Sequence, residues 1–180
     1  MGVKDVAVTV AQLNALNRDQ FVDAVGWVFE HSPWVAEAAW ARRPFASVDE
    51  LHRTMSTVVA EAERERQTAL LRAHPDLGAR ARMSDASVGE QAGAGLDRLT
   101  PDDFARLQRL NTAYRETFGF PFLLAVTGST SQQVLTALDA RLSRTAEEEF
   151  AEALRQVYRI ARFRLDDIVT LAGREGPRRI

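Results

Sequence analysis

Three side chains in this sequence are of the kinds from which proton transfer and anion recognition are built: His74, Glu90 and Arg164. His74 and Glu90 stand on either side of a break in the stretch LLRAHPDLGARARMSDASVGEQAGAGL, Leu70 to Leu96. The stretch begins in an apolar helical pattern, breaks at Pro75, and runs on through Gly78, Gly89, Gly93 and Gly95. A histidine beside a carboxylate, held in irregular backbone between helices, is an arrangement suited to general acid–base chemistry. Arg164 adds a planar fork of donors that matches a carboxylate or carbonyl.

Each residue also has a purely structural reading. Pro75 disfavours helical geometry at His74, so His74 sits at a helix end, where a backbone carbonyl can satisfy its ring. Ser87-Val88-Gly89-Glu90 has the S-x-x-E spacing of a capping box, and starting a helix would account for both polar residues. That reading does not exclude function, because a helix N-terminus also suits an anionic or carbonyl-bearing ligand. For Arg164 the pattern is more telling. Phe150, Leu154, Val157, Ala161, Arg164 and Ile168 follow one another at spacings of four and three, so all six share one helical stripe. Arg155, Arg159 and Arg162 fall on other faces. A guanidinium in an apolar seam must be paired, since an unpaired buried charge costs several kcal/mol. An internal Asp or Glu, snorkelling to the surface, and a substrate group are the three solutions.

The elements that must position these residues are helical. Capping boxes are expected at Asn17/Gln20, Ser47/Glu50 and Thr145/Glu148, with Ser32 before Pro33 as a further cap. Thr100-Pro101-Asp102-Asp103 combines a cap, a first-position proline and acids at the positive end of the dipole. The helix it opens carries Phe104, Leu107, Leu110, Asn111, Tyr114 and Phe118 down one face, and Gly119-Phe120-Pro121 stops it. Ser131 is expected to cap a helix with Val134, Leu135, Leu138 and Leu142, and the longest helix runs from about Ala146 to Leu171. A bend is expected in the charged stretch Glu63 to Arg66. The apolar run Phe122–Val126 is too short to assign by periodicity. No strand alternation or repeat is present. The fold class is therefore all-α: one compact domain of about seven to nine helices over residues 11–172, with a flexible segment at 1–10 and a basic tail at 173–180.

Composition narrows the function classes. At 180 residues the chain is long enough to bury a substantial core. Its 23 Lys+Arg against 25 Asp+Glu leave a formal charge of −2, without the basic excess that nucleic-acid binding leaves. It has no cysteine, which removes disulfides, thiolate metal sites and a thiol nucleophile. His31 and His52 are isolated, so no metal site is expected. No stretch could span a bilayer, the N-terminus lacks a signal-peptide pattern, and the C-terminal GREGPRRI is not a peroxisomal address. A cytoplasmic protein is the expectation.

The motifs carry the reading further. FVDAVGWVFEHSPWVAEAAW, RPFASVDELH, LLRAHPDLG, SVGEQAGAGLDRL, LNTAYRETFGFPFLLAV and RIARFRL, in this order from about Leu13 to Leu165, resemble the 2-oxo-4-hydroxy-4-carboxy-5-ureidoimidazoline (OHCU) decarboxylases. These enzymes produce (S)-allantoin at the end of urate breakdown. The resemblance implies an all-helical, dimeric enzyme that uses neither metal nor organic cofactor. It implies that His74 is the catalytic histidine and Glu90 the catalytic carboxylate. Pro75, Ser87, Gln91 and the segment Phe122, Leu123, Leu124, Ala125 and Val126 match substrate-lining positions, and Arg164 matches the arginine that holds the substrate. The partner implied is a small ureidoimidazoline, with neither nucleic acid nor membrane. The alternative from another class is a non-catalytic helical module for ligand binding or dimerisation.

Overall fold

The computed structural model describes residues 8–79 and 85–169. Nine helices are found among them: α1 (Val10–Ala15), α2 (Arg18–Val25), α3 (Trp34–Trp40), α4 (Val48–Ala60), α5 (Arg64–Ala73), α6 (Asp85–Gly93), α7 (Pro101–Phe118), α8 (Ser131–Arg141) and α9 (Ala146–Ile168). Extended pairing among these residues is limited to an isolated parallel bridge between Val8 and Val169. The fold is all-α. The expected flexible segment and basic tail fall largely at residues 1–7 and 170–180, outside the described residues.

Local sequence sets most of the boundaries. Asn17 accepts from the Gln20 amide at 2.9 Å while the Gln20 side chain accepts from the Asn17 N–H at 3.2 Å. Thr145 and Glu148 make the same reciprocal pair, and Ser47 and Thr100 cap α4 and α7. Each such cap stabilises its helix by about 1 kcal/mol. The expected bend becomes a full break between Ala60 and Arg64. Four expectations are corrected. Pro33, not Ser32, occupies the N-cap of α3, and no side chain bonds there. Thr130, with Gln133, caps α8 in place of Ser131. Ser87 is not an N-cap, because α6 is already helical at Asp85 and Ser87 lies inside it. Phe104, placed on the buried face of α7, is 38% exposed. Helix α1 was not foreseen; Thr9 and Gln12 cap it with another reciprocal box.

The contacts of the described residues cluster into two compact units, residues 8–62 with 161–169 and residues 63–79 with 85–160. In the first, Leu13, Phe21, Val25, Val35, Ala36, Ala39, Leu51, Met55 and Val59 are fully buried. Asn14 ties α1 to the turn before α4 by exchanging two hydrogen bonds with the Phe45 backbone, 2.8 and 2.9 Å. In the second, Leu70, Leu71, Leu107, Tyr114, Phe122, Leu135, Leu138 and Val157 form the core. Tyr114 is its hub: its ring lies 4.6 Å from Phe118, 6.0 Å from Phe120 and 5.3 Å from Phe122. Edge-to-face and tilted pairs of this kind add about 0.5–1.5 kcal/mol each beyond the area they bury.

Candidate active site

His74 is the residue at which α5 stops. Its backbone is extended (φ −75°, ψ 143°), as the following proline requires. The side chain turns back along the helix and is 5% exposed. Nδ1 lies 2.9 Å from the Leu70 carbonyl. A carbonyl only accepts, so Nδ1 carries the hydrogen, and Nε2 is the nitrogen at which the ring gains or loses a proton. The helix-terminal reading of His74 is thus realised, and it fixes a tautomer suited to proton transfer.

The HPDLG turn that follows is held from several sides. Asp76 pairs with Arg115 of α7 at 2.7 Å. The Leu77 carbonyl accepts from Asn111 Nδ2 at 2.8 Å. The Gly78 N–H donates to Gln91 Oε1 of α6 at 2.8 Å. Gly78 has φ +75°, and a Cβ there would lie 2.7 Å from Leu107 Cδ2. Only glycine combines that left-handed backbone with that close approach. The turn behind the histidine is therefore a clamped piece of backbone.

Helix α6 carries three further polar candidates. Ser87, Glu90 and Gln91 are related by steps of three and four and share one face. Ser87 and Gln91 are buried, Glu90 is half-buried, and Val88 on another face is exposed. Gln91 spends its carbonyl oxygen on Gly78, so it links α6 to the histidine turn directly.

Phe122–Val126 is neither helix nor strand, so its backbone groups need partners from elsewhere. Side chains provide them. The Leu123 carbonyl accepts from Arg141 Nη1 at 2.7 Å, and the Ala125 N–H donates to Gln156 Oε1 at 3.0 Å. Arg141 is held in turn by Glu149, which also accepts from the Tyr114 hydroxyl at 2.5 Å. Burial, then the hydrogen bond to Glu149, pushes the Tyr114 phenol far above its ordinary range. Phe122, Leu123, Ala125 and Val126 are buried and Leu124 is half-buried. The run is a largely buried apolar segment on a polar scaffold.

His74, Pro75, Ser87, Glu90, Gln91 and residues 122–126 all belong to the second compact unit, and Arg164 belongs to the first. Arg164 is 2% exposed and pairs with Glu30 Oε2 at 2.8 Å, with the Val28 carbonyl 3.3 Å from Nη1. Of the stripe drawn through it, Phe150, Val157 and Ala161 are buried, whereas Leu154 and Ile168 are half-buried; Ala153 and Ile160 complete the seam. Sequence reasoning missed Glu30, Arg141, Glu149 and Gln156. For Arg141, Glu149 and Gln156 the available signal was a polar residue in helical step with apolar neighbours, as Gln156 is with Ala153 and Ile160; Glu30 lies in the turn between α2 and α3, where no such periodicity applies.

A cavity of about 450 Å³ opens in the first unit, lined by residues that include Thr9, Asn14, Ser47, Asp49 and Arg162. None of the candidate site residues lines it. Its polar groups are engaged internally: Asn14 on Phe45, Ser47 on the Glu50 amide, Arg162 on Asp49 and Asp166. Among the described residues no group of three His, Asp or Glu side chains is placed to hold a metal ion, and no helix is long and apolar enough to cross a membrane.

Known proteins resemble most of the chain. The sequence profile of OHCU decarboxylase matches residues 14–166. The chain is 50% identical over 157 residues to the 2-oxo-4-hydroxy-4-carboxy-5-ureidoimidazoline decarboxylase of Haloferax volcanii, covering 87% of this chain and 94% of that protein. It is 47% identical over 165 residues to the uric acid degradation bifunctional protein of Bacillus subtilis, covering 92% of this chain and 33% of that longer protein. The crystal structure of an (S)-allantoin synthase superposes with a TM-score of 0.76 at 34% identity, over 90% of this chain and 54% of that one. A profile spanning most of its length and relatives this similar establish that the chain belongs to the OHCU decarboxylase family.

Proposed function

We propose that this protein decarboxylates OHCU to (S)-allantoin and CO2 in urate degradation, with His74 as the acid/base and Glu90 assisting it. The observation that carries this reading is a buried histidine whose Nδ1 is committed to a backbone carbonyl, on a turn tied to the polar face of α6. As CO2 departs, the electron pair of the breaking C–C bond flows toward the neighbouring ring C=N. That built-in sink lets the reaction proceed without a pyridoxal or thiamine group. The ring nitrogen that receives the pair takes up a proton, and the carbon of the former C=N then gains a proton on one face while the hydroxyl gives one up and becomes a carbonyl. Per CO2 released, one proton is taken up overall. Nε2 of His74 delivers or relays the proton that the carbon gains, and Glu90 orients the histidine or receives the hydroxyl proton.

The remaining groups orient the substrate and exclude water. Ser87 and Gln91 offer directional contacts to ring or ureido oxygens, beside Pro75. Residues 122–126 desolvate the carboxylate, whose loss as neutral CO2 is favoured away from water. Arg164 binds a substrate carboxylate or carbonyl. The enzyme works as a homodimer in the cytoplasm, and the exposed Val88 and Phe104 are apolar surface a second copy would cover.

The test follows freshly generated OHCU by absorbance and circular dichroism, with and without the protein. Faster decay that accumulates (S)-allantoin supports the activity; background decay to racemate overturns it. His74→Ala should remain folded and lose about 10²–10⁴ in rate, the usual contribution of a positioned acid/base. Near-normal turnover in that variant would remove His74 from the mechanism.

A further inference from the structure

Glu30 is a carboxylate that the chain goes to some length to bury. It follows Val28 and Phe29, each 1% exposed, and is itself 1% exposed. The next residue, His31, takes φ +46°, a left-handed conformation uncommon outside glycine and tolerated better by His than by branched residues. That corner ends the run after α2 and sends the backbone on toward Ser32 and α3. The Glu30 carboxylate meets Arg164 at 2.8 Å, and Arg164 Nη1 also lies 3.3 Å from the Val28 carbonyl two residues earlier. The Val28–Glu30 segment thus holds the guanidinium through two different acceptors.

Stability is a poor explanation for such a pair. Replacing a buried ion pair with apolar side chains of similar volume is often neutral or stabilising, because desolvating two charges offsets their attraction. A pair of this kind has a better use in fixing where a charged group points. Arginine has about four rotatable side-chain bonds, and ordering them at the moment of substrate binding costs free energy that a pre-ordered side chain avoids.

We infer that Glu30 is a positioning residue for catalysis, holding the Arg164 guanidinium in the one orientation that receives the substrate. This inference rests on the reading of Arg164 as a substrate contact. Glu30 also cancels most of the net charge of Arg164, so the substrate is recognised by direction more than by attraction. Tight electrostatic binding of the reacting carboxylate would stabilise the ground state and slow its loss.

The test compares wild type, Glu30→Asp, Glu30→Gln and Arg164→Lys by steady-state kinetics on OHCU, each well below its own melting temperature. Glu30→Asp keeps the charge but draws it back by one methylene. It is expected to stay folded and to lose at least tenfold in kcat/KM, since displacing a positioning group by about 1 Å can cost about 10²-fold. Glu30→Gln keeps an acceptor but leaves Arg164 its full charge, and is expected to lower KM and kcat together. A merely structural role would lower the melting temperature of both while leaving kcat and KM of the folded protein at wild-type values; that result overturns the inference. Arg164→Lys separates the two readings. If it raises KM while both Glu30 variants behave as wild type, Arg164 keeps its role and Glu30 loses its own. If it changes neither constant, the reading of Arg164 fails and the inference falls with it. Should Glu30→Gln not fold, Glu30→Asp decides alone.

Discussion

Glu149→Gln is nearly isosteric, yet it should be among the most damaging single changes outside the reacting centre. Glu149 is fully buried. Its Oε1 accepts from the Tyr114 hydroxyl at 2.5 Å and from Arg141 Nε at 2.6 Å, with Arg141 Nη2 also in contact. Arg141 is 5% exposed, and Arg144, the other cation near Glu149, is 3.6 Å away. Breaking a buried pair by removing one partner costs about 3–5 kcal/mol, because the remaining charge is left uncompensated. The glutamine carbonyl still accepts one bond and returns about 1 kcal/mol. The net loss is therefore about 2–4 kcal/mol. At about 2–4 °C per kcal/mol for a chain of this size, the melting temperature should fall by about 4–16 °C. Thermal melts by circular dichroism or calorimetry measure it. Arg141→Met and the double variant complete a cycle in which the two single losses should exceed the double loss by at least about 2 kcal/mol, as coupled neighbours do. Because Arg141 also holds the Leu123 carbonyl at 2.7 Å, the folded Glu149→Gln enzyme should show a raised KM. A melting temperature within about 2 °C of wild type, or single losses that simply add, would refute the account of Glu149 and Arg141 as one buried unit.

Other expectations follow from particular contacts. Gly78→Ala meets a left-handed backbone, worth about 1–2 kcal/mol, and a Cβ contact of 2.7 Å with the buried Leu107, worth about 1–3 kcal/mol more. Gly95→Ala has the same φ, +75°, with open space around the new Cβ. Gly78→Ala should therefore melt lower than Gly95→Ala and lose more activity; equal melting temperatures would show that Leu107 gives way freely. Both tyrosines of the sequence, Tyr114 and Tyr158, have phenols pushed above the ordinary value, in each case by burial first. Native protein near pH 10 should show far less phenolate absorbance than unfolded protein, where tyrosines titrate at about 10. The fold favours the protonated phenol, so this contribution to stability is intact below pH 10 and declines as pH rises through and above it. Phenolate signal at pH 10 equal to that of unfolded chain would contradict both placements.

The sequence alone determined the helical class and most helix ends, because these depend on local chemistry. Asn17/Gln20, Thr145/Glu148 and Thr100-Pro101 act through backbone groups within three residues of themselves, so their reading needs no knowledge of the rest of the chain. Pro75 determined in the same way that His74 would close α5. Ser87 shows where local reading stops: its spacing to Glu90 fits a cap, but both lie within α6, where the same spacing places them on one face. Periodicity also identified Arg164 as a charge in an apolar seam. It could not say which of three partners would answer that charge.

Tertiary structure decided the pairings. Glu30 and Arg164 are joined across 134 positions, as are Asn111 and Leu77 across 34 and Gln156 and Ala125 across 31. No local rule links such residues, because each bond satisfies a group stranded by a different segment: a buried cation, a turn carbonyl, an amide in a run with neither helix nor strand. Phe104 makes the converse point, since its helical position suggested burial and the surrounding elements leave it exposed. Spacing along a helix specifies which residues share a face. What that face meets depends on how the other helices pack, and it is there that a buried polar group finds its partner.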